Sequence, residues 1–542
     1  MLIRLAFLFL SVSSTAQVRV VPVPQISVVA PIVVVPSINA ASLPLNVLPS
    51  PALLVLGALV RPPAVAVPSV QAAPAAISAL KSAAPSAQDK PSNGANAAFD
   101  GTVSEGPESR AWSLPDGGPL MGRALRPEGS SFGGRRYVDL MNPAAVKISG
   151  RDFMWVRAVR SGYGTTVGPI GEVATSDYAS DTLLFELLPG RAPRFIERSL
   201  QSTPDRLLED PRLSRLKIRG RDARGRFKTE ERLYLGVTDH RVHGEMKART
   251  SRNAFVAVVV DDGGTPRVVR DATGAPKLVD LSPEPLKRAD GSFETVDAKN
   301  GVLVSDNQGR ARMLSRHRYA PSDPRLPADF TPSDYAEQTF PLSAEDLERG
   351  PNWNGLIKEL ASRETIRGSE LEERYPAAKL WKGAGKGLGP GAPPVRVRRR
   401  GGALFVSEGF GYPWTRAGSV PKGASSALKD GQTAFLSFDH EIRFLDAGGK
   451  RKRVYSLSIK LRDAALERVI GYYADAVQPQ RSYETENPGI PDLWHVYPTG
   501  RVINQDGSVD TYEGAADSNV VRRRWNLVHL LSESGWVLRP SQ

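Results

Sequence analysis

The feature of this sequence that most restricts its fold is a short pattern that recurs five times after residue 137. In each copy a turn with glycine or charged residues precedes a strand of alternating apolar residues, which ends in a polar side chain. Alternation with a period of two is typical of half-buried β-strands. The copies are Gly150–Arg157, Glu231–Asp239, Gly309–Arg316, Gly401–Glu408 and Gly507–Asp517. Subtraction of their first residue numbers gives spacings of 81, 78, 92 and 106 residues, so the repeated units carry long and variable insertions.

Short strands repeated with variable insertions favour radial repetition, so we predict an all-β fold, specifically a five-bladed β-propeller. The alternative is a β-sandwich with decorations. In a propeller the inner strands of all blades converge on one axis, so the polar strand ends are expected to share one pocket. These strand ends are Arg157, Asp239, Arg316, Glu408 and Asp517. Mixed charges in a concave site suit polar substrates such as sugars and phosphate.

The N-terminal segment carries the features of an export signal, and we predict a signal peptide over residues 1–17. A positive charge at Arg4 precedes the apolar run Leu5–Leu10, and the small residues of Ser13–Ala16 suit cleavage at the end of the segment. The apolar run is too short for a stable membrane span. We therefore expect export to the periplasm, the cell surface or the medium; the alternative is an apolar N-terminal strand.

Residues 18–130 are rich in Pro, Ala, Val and Ser, and we predict that they form a disordered or polyproline-like linker. Prolines recur there at intervals too short for a helix or a central strand. The propeller domain is expected over residues 131–542. Near its end, the apolar stripe of Val521–Ser532 predicts a short helix that packs onto the domain, with Gly535 ending it.

The composition excludes several kinds of site. The 542 residues include no cysteine, so a disulfide framework, a thiolate zinc site and a cysteine nucleophile are excluded. The formal net charge is +13, and the first hundred residues carry only five basic and two acidic side chains. The globular part is therefore basic by itself, which favours anionic partners such as phosphate, acidic glycans or nucleic acid.

A proline between charged residues stands out in Leu208–Arg212, just before the second recurring strand. Proline fixes its own φ and pushes Asp210 toward extended geometry. Residues two apart in an extended chain share a face, so Asp210 and Arg212 are expected to point the same way. A neighbouring guanidinium keeps a carboxylate ionised. In isolation, such a segment is typical of a rigid, salt-bridged turn.

Together with other segments, Leu208–Arg212 resembles the motifs of glycoside hydrolase family 130, which contains β-mannoside phosphorylases and related β-mannosidases. Leu208–Arg212 is similar to the EDPR signature of that family. The other similar segments, in the order of the family, are Asn142–Ala145, Met154–Arg157, Lys299–Leu303, Met313–Arg316, Gly387–Val395, Tyr497–Gly500 and Tyr512–Asp517. The resemblance covers residues 137–542 and implies a five-bladed propeller, in agreement with the five recurring strands.

The resemblance also implies roles for individual residues. Asp210 would be the general acid, which protonates the leaving oxygen through a substrate hydroxyl. The residues expected to bind the sugar are Asn142, Arg157, Arg212 and Asp517, and those expected near phosphate are Lys299 and Arg316. The substrate would be an oligosaccharide or polysaccharide. No cofactor is expected, apart from inorganic phosphate as co-substrate if the protein is a phosphorylase.

Two positions depart from the family pattern. Asn300 follows the lysine where Asp is usual, and Ser407-Glu408-Gly409 stands where the fourth strand usually ends in Tyr-His-Gly. A carboxylate at Glu408 repels phosphate and suits a base for water, so we predict an inverting hydrolase. Export favours hydrolysis as well, whereas Lys299 and Arg316 favour phosphorolysis. The alternatives are phosphorolysis of β-mannosides and an inactive relative that only binds carbohydrate.

Other candidate sites are discounted. Asp239–Glu245 contains two histidines without a third nearby, so a charged hairpin loop is preferred to a metal site. The basic runs at 396–400, 450–453 and 522–524 lack interleaved aromatic residues. We interpret them as solvated hairpin ends rather than nucleic-acid sites. A third class of function is a surface or scaffold protein in which the linker matters most.

Overall fold

The computed structural model describes residues 113–160, 179–221, 224–243, 248–282, 297–318, 336–351, 366–367, 387–447, 450–486 and 493–538. The expected signal peptide and residues 18–112 of the expected linker lie outside this part of the chain. Strands dominate the described residues, which confirms the all-β class. The described helices are α1 (Asp346–Arg349), α2 (Ser482–Thr485) and α3 (Leu527–Ser532). None of them has the length and apolar character needed to cross a membrane.

Five groups of strands follow one another along the described chain. Group I comprises β4 (Asp139–Ile148), β5 (Arg151–Val159), β6 (Ser180–Leu187) and β7 (Arg194–Gln201). Group II comprises β8 (Arg206–Arg221), β9 (Phe227–His243), β10 (Ala248–Val260), β11 (Pro266–Val268) and β12 (Leu278–Asp280). Group III comprises β13 (Asp297–Ser305), β14 (Ala311–Arg318), β15 (Ala336–Leu342) and β16 (Ile366–Arg367).

The last two groups include strands from both ends of the described chain. Group IV comprises β17 (Gly387–Gly389), β18 (Val395–Arg400), β19 (Ala403–Ser407), β20 (Thr415–Ser419), β21 (Thr433–Ala447), β22 (Lys450–Arg462), β23 (Val469–Val477) and β27 (Val537–Leu538). Group V comprises β24 (Leu493–Ile503), β25 (Val509–Ala515), β26 (Asn519–Trp525) and β1 (Ser113–Gly122). A separate hairpin joins β2 (Ser130–Phe132) and β3 (Arg135–Tyr137).

The five groups lie in three sheets of twelve, nine and four strands, because neighbouring groups are partly fused, and the β2–β3 hairpin forms a two-stranded sheet by itself. Parallel pairing of β10 with β13 joins groups II and III, and parallel pairing of β22 with β24 joins groups IV and V. Group I forms the four-stranded sheet by itself. Strand β1 pairs with β26, so the first and nearly the last strands of the described chain complete one sheet.

The position of β1 corrects the expected linker boundary. Residues 18–130 were predicted to be disordered, but 113–130 belong to the folded part, and β1 is paired from Ser113 to Gly122. The segment contains two prolines and three glycines, which weaken a strand signal in the sequence. Prolines are tolerated in a strand at the edge of a sheet, where some backbone N–H groups need no partner.

A β-bulge interrupts the first strand of groups I, II and III. The bulge contains Asn142 in β4, Asp210 in β8 and Asn300 in β13. The φ values of these residues are 48°, 51° and 61°, respectively. Asn and Asp tolerate this left-handed backbone better than other residues with a Cβ. In group IV a break between β17 and β18 replaces the bulge, and in group V the register shifts between Pro498 and Gly500. The bulges redirect side chains at one end of each first strand.

Hydrogen bonds join the five groups in chain order through residues of the first strands, of the β17–β18 break and of β21 in group IV. These contacts connect group I to II, II to III, III to IV, IV to V, and V back to I. They join Asn142 Nδ2 to Asp210 Oδ1 (2.7 Å), Leu303 N to Ser214 Oγ (2.8 Å), Asn300 Nδ2 to His440 Nε2 (3.3 Å), Arg501 Nε to Pro393 O (2.9 Å) and Thr499 Oγ1 to Pro143 O (2.8 Å).

Four of the five recurring strands occupy equivalent places, and the fourth does not. Four polar strand ends lie on or just after the strand that pairs with the first strand of its group. Arg157 lies in β5, Asp239 in β9 and Arg316 in β14, and Asp517 follows β25. The predicted fourth copy forms β19, which lies with β20 in an insertion between β18 and β21. The strand that pairs with both β17 and β18 is β21. Its residue opposite Gly389 is His440.

The C-terminal segment also differs from the prediction. Val521–Trp525 belongs to strand β26, which pairs with β25 and β1, and only Leu527–Ser532 is helical. The side chain of Asn526 caps α3 by accepting hydrogen bonds from the N–H groups of Val528 and His529. The apolar residues of β26 and of α3 are all buried. The spacing of apolar residues in the sequence therefore could not show where the strand ends and the helix begins.

A buried quartet of charges ties group III to group IV. Lys460 and Arg462 of β22 both pair with Glu337 of β15. They also pair with Asp439 of β21, whose Oδ2 lies 3.0 Å from Lys460 Nζ and 3.2 Å from Arg462 Nη2. All four side chains are at most 1% exposed. Asp439 Oδ1 also accepts a hydrogen bond from Gly391 N, so the quartet holds the break between β17 and β18.

We predict that Glu337→Gln destabilises the protein strongly, because it leaves Lys460 and Arg462 with one carboxylate in a fully buried site. The expected fall in the free energy of unfolding is about 3–5 kcal/mol, measured by chemical denaturation. Glu345→Gln is the matched control, since it breaks an exposed pair with Arg349 and should leave stability close to wild type. Equal stability of the two variants would contradict the importance of the quartet.

Candidate active site

The carboxylate of Asp210 lies in a bulge of β8 and is held by side chains from group I. Asn142 Nδ2 donates to Asp210 Oδ1 at 2.7 Å, and the guanidinium of Arg157 donates to the same oxygen at 2.8 Å. Burial alone would raise the pKa of Asp210, but the guanidiniums of Arg157 and Arg212 lower it below the usual value. Asp210 is therefore an ionised carboxylate in the unliganded site.

The neighbouring Glu209 connects the same arginine to a buried histidine. Its Oε1 lies 2.9 Å from Arg157 Nη2, and its Oε2 lies 2.8 Å from His240 Nε2. The other ring nitrogen of His240 is 2.9 Å from Ser251 Oγ on β10. Burial opposes the charge of Glu209, but Arg157 and His240 hold its pKa well below the usual value. The chain Ser251–His240–Glu209–Arg157 therefore fixes the guanidinium that contacts Asp210.

Arg212 connects the Asp210 bulge to groups IV and V. Its Nη1 donates to Asp210 O at 3.0 Å, its Nε donates to Gly391 O at 3.1 Å, and its Nη2 donates to Tyr497 Oη. Tyr497 Oη donates in turn to Asn300 Oδ1 at 2.8 Å. Arg212 is buried, with 1% of its surface exposed. Its hydrogen bonds within the protein therefore set the orientation of the guanidinium.

His440 completes this network on the side of group IV. Its Nε2 lies 3.3 Å from Asn300 Nδ2, and its ring lies edge-on to Tyr497 with 4.3 Å between the centroids. Burial lowers the pKa of His440 well below the usual value, and the positive charges of Arg316 and Arg212 lower it further. His440 is therefore neutral at pH 7.

Lys299 and Arg316 lie opposite each other on β13 and β14 and add positive charge to the cluster. Lys299 is among the groups that lower the pKa of Glu209, and Arg316 is among those that lower the pKa of His440. Arg316 is buried and Lys299 is partly buried. The charge of Lys299 therefore acts on the Glu209 side of the cluster around Asp210, and the charge of Arg316 acts on the His440 side.

Asp517 lies on the group V side of the cluster. Its Oδ1 is 3.5 Å from His495 Nε2, and its side chain is 14% exposed. Burial lowers the pKa of His495, while Asp517 and Asp210 act against that effect. The pKa of His495 is thus raised by a carboxylate of strand group V and by one of strand group II. Asp517 and Asp210 therefore both lie near His495.

Two glycines allow the close contacts of this cluster. A Cβ on Gly514 would lie 1.8 Å from Asn142 Oδ1, and a Cβ on Gly389 would lie 2.4 Å from the ring of His440. Neither residue has a positive φ, so the requirement is for space and not for backbone freedom. Side chains at these positions would displace Asn142 and His440 from their places.

The structure brings together most of the residues that the sequence singled out. Asn142, Arg157, Asp210 and Arg212 are joined by hydrogen bonds or contacts. The charges of three further predicted residues affect pKa values in this cluster: Lys299 affects Glu209, Arg316 affects His440 and Asp517 affects His495. Their roles toward a substrate stay predictions.

Two of the predicted strand ends have other partners. Asp239 pairs with Arg206 and Arg241, with 2.7 Å between Asp239 Oδ2 and Arg206 Nη2. Glu408 pairs with Arg501 of β24 and has no described contact with Asp210. Glu408 follows β19 in the β19–β20 insertion and does not lie on the strand paired with β17, and its expected place in the pocket of Asp210 stays a prediction.

Sequence reasoning missed Glu209, His240, His440 and Tyr497 as members of the cluster. Glu209 stands inside the EDPR segment, and Tyr497 inside a segment that resembles the family, so both had a signal. His440 had a signal too, since it stands between Asp439 and Glu441 in a polar run that interrupts an otherwise apolar strand. Among the described residues no three potential ligands are grouped as a metal site.

No protein-family model matches the chain, and no curated protein matches it. The chain is similar to a mannose phosphorylase from Leishmania mexicana, at 12% identity and a TM-score of 0.40, over 77% of this chain and 96% of that one. It is similar to a β-1,2-mannobiose phosphorylase from Listeria innocua, at 12% identity and a TM-score of 0.41, over 78% and 98%.

A third similar structure comes from the GH130 family of mannoside phosphorylases, which contains glycoside hydrolases that target β-1,2-mannosidic linkages in Candida mannan. The identity is 14% and the TM-score 0.34, over 72% of this chain and 85% of that one. This is the family that the sequence motifs resemble.

We predict that Gly514→Ala displaces the side chain of Asn142 and removes its bond to Asp210. The expected loss of stability is about 1–3 kcal/mol, as for other overpacked sites, measured by chemical denaturation. Gly220→Ala is the control, because a Cβ on Gly220 meets no atom within 4 Å. A Gly514→Ala protein as stable as Gly220→Ala would contradict the described contact.

The burial of His440 predicts a dependence of stability on pH. Since its pKa is lowered in the folded protein, the unfolded chain binds the proton first, and folding loses stability as the pH falls below about 6.5. Above that pH the group contributes no pH dependence. One such histidine accounts for a loss of about 1 kcal/mol between pH 6.5 and 5.5.

The test compares the free energies of unfolding of wild type and His440→Gln at pH 6.5 and 5.5. We expect the variant to lose less stability on acidification than wild type. His529→Gln serves as the control, since His529 is exposed on α3 and its replacement should leave the slope unchanged. An identical slope in all three proteins would show that His440 is not held neutral by burial.

Proposed function

We propose that this protein is a divergent member of glycoside hydrolase family 130 that cleaves β-mannoside-type bonds with inversion, by phosphorolysis. The observation that carries the proposal is the meeting of the motif segments in one contact network around Asp210. Asn142, Arg157, Arg212 and Tyr497 come from segments far apart in the sequence, and each is bonded to Asp210 or to a neighbour of Asp210.

The proposal includes a five-bladed β-propeller as the finer description of the fold. Its support is the order of hydrogen bonds between the groups, which runs from group I through group V and back to group I. The pairing of β1 with β26 adds support, because it joins the first and nearly the last strands of the described chain in one group. Closure of this kind protects sheet edges in propellers.

In the proposed reaction Asp210 supplies a proton to the leaving oxygen, and an oxygen of phosphate attacks the anomeric carbon from the opposite face. The bond from the anomeric carbon to the leaving oxygen breaks, and the products are a mannose 1-phosphate and the shortened glycoside. Asp210 is ionised in the unliganded site. Binding of an anion nearby raises the pKa of a carboxylate, so phosphate would help Asp210 take up the proton that it later donates.

The charges of the site favour phosphate as the attacking group. Arg212, Lys299 and Arg316 supply positive charge, and His440 is a neutral donor or acceptor near Asn300. Positive groups of this kind bind phosphate and reduce its charge as it attacks. The sequence-based preference for hydrolysis depended on Glu408 as a base, and that carboxylate is paired with Arg501.

Hydrolysis is the second candidate, and one observation favours it. Asp517 presents a partly exposed carboxylate beside a neutral histidine, His495, in the same region as Asp210. A second carboxylate across the sugar is what an inverting hydrolase needs to activate water. In that case Asp517, and not Glu408, would be the base.

The test is turnover of β-linked mannobioses by the purified protein, with and without added phosphate. We expect release of mannose 1-phosphate that requires phosphate. Asp210→Asn should lower kcat by at least about a thousandfold while substrate binding is retained, because the acid is lost but the shape is kept. Asp205→Asn is the matched control, since Asp205 is exposed on the preceding turn.

The outcomes separate the alternatives. Turnover that does not depend on phosphate and yields free mannose would support hydrolysis. Binding of mannosides without any turnover of the wild type would support a carbohydrate-binding protein instead of an enzyme. Equal activity of Asp210→Asn and Asp205→Asn would contradict the role of Asp210.

A further inference from the structure

A second charged surface lies in group IV, on the three-stranded part formed by β18, β19 and β20. We call it the arginine face and define it by Arg396, Arg398, Arg400, Arg416, Phe405 and Trp414. The opposite face of the same strands is apolar and buried, with Val395 and Val397 in the core. Side chains two apart on a strand share a face, so Arg396, Arg398 and Arg400 point away from that core together.

The strand register extends the arginine face across the sheet. Arg398 of β18 is paired with Phe405 of β19, and Phe405 is paired with Arg416 of β20. Directly opposed residues of neighbouring strands lie on the same face. The three side chains thus form a row in which an aromatic ring lies between two guanidiniums.

Aromatic rings orient two of the arginines. The guanidinium carbons of Arg396 and Arg398 lie 4.8 Å and 4.4 Å from the ring of Trp414, and that of Arg398 lies 5.7 Å from the ring of Phe405. Guanidiniums stacked on rings keep their N–H edges available for planar anions. In the sequence this basic run lacks interleaved aromatic residues, but in the fold Trp414 and Phe405 of the inserted hairpin lie against it.

The charge of the arginine face is not balanced within the described part of the chain. None of its four guanidiniums forms an ion pair there, and Arg400 and Arg416 are exposed. The described polar partners are Asn307 Oδ1 for Arg396 and Ser419 Oγ for Arg416. Burial and the proximity of Arg398 lower the pKa of Arg396, as expected for like charges held together.

We propose that the arginine face binds an acidic polysaccharide through its carboxylate groups. This inference depends on the proposed function, because a surface for an anionic glycan would hold a polymer near an enzyme that cleaves glycosides. Arginines at every second strand position lie about 7 Å apart, so successive acidic sugars can meet successive guanidiniums. A planar carboxylate accepts two parallel N–H bonds from each guanidinium.

Two other anionic partners fit the surface less well. Single-stranded nucleic acid binds by stacking bases on free aromatic faces, whereas the rings of Trp414 and Phe405 already contact guanidiniums and are half-buried. A membrane surface requires apolar side chains that protrude. The large apolar side chains exposed among the described residues are Leu125, Val259, Val260 and Leu538, and none lies on the arginine face.

The test measures binding of the full chain to polygalacturonate at low salt. A triple variant, Arg398→Gln with Arg400→Gln and Arg416→Gln, is compared with wild type. The matched control is Arg126→Gln with Arg191→Gln and Lys277→Gln, which removes the same charge from exposed positions elsewhere. We expect at least a tenfold weaker binding by the triple variant, less than a twofold change in the control, and weaker binding of wild type at higher salt.

A second variant separates charge from geometry. Lysine at 398, 400 and 416 keeps the charge but loses the planar fork, so we expect affinity between those of wild type and the glutamine variant. Equal binding by the glutamine variant and its control would overturn the proposal. Tighter binding of oligo-dT or of phosphatidylglycerol vesicles than of polygalacturonate would overturn it as well, in favour of the corresponding partner.

The outcome is independent of catalysis. Binding of polygalacturonate is read without turnover, so its absence counts against the arginine face alone. Absence of mannoside cleavage counts against the proposed function alone.

Discussion

The site depends on a left-handed backbone at Asn142, Asp210 and Asn300. A residue with φ near +50° breaks the alternation of a strand and turns its side chain toward the strand end. Asn and Asp accept this conformation, and their polar side chains are then free to bond across groups. The bond from Asn142 to Asp210 and the contact between Asn300 and His440 are direct consequences.

The second determinant is the balance of charge in a region without much water. Arg157, Arg212, Lys299 and Arg316 are matched there with Glu209, Asp210 and Asp517, so positive charge is in excess by one. Arg157 bridges Glu209 and Asp210 and keeps both ionised. Two of the histidines in this region, His440 and His495, have pKa values lowered by burial and are neutral, so they add no charge to the site. A cluster of this kind is suited to an anion that also accepts hydrogen bonds.

Much of this arrangement could be predicted from the sequence, because strand alternation is a local property. Four of the five recurring strands were identified without knowledge of the fold, and so were Asn142 and Asp210 as candidate site residues, although Asp210 was expected to be extended and has a left-handed backbone. The fourth strand was misplaced because β19 has the same alternation and a polar end, although it lies in an insertion. Local pattern does not determine which of two similar strands pairs with β17; that choice depends on packing against group III.

The same limit explains the other differences. Strand β1 lies among prolines and glycines and is ordered by pairing with β26, which follows about four hundred residues later in the sequence. The arginine face was discounted because its aromatic residues are separated from the basic run in the sequence and meet it only through the β19–β20 hairpin. Contacts between distant segments therefore account for what the sequence did not reveal.

The central claim is that phosphate, and not water, attacks the sugar bound beside Asp210. The most direct measurement is to run the reaction of a β-mannobiose in water enriched in ¹⁸O with unlabelled phosphate, and to analyse the products at once by mass spectrometry. The account predicts mannose 1-phosphate without ¹⁸O. Mannose that carries ¹⁸O at the anomeric position would contradict it.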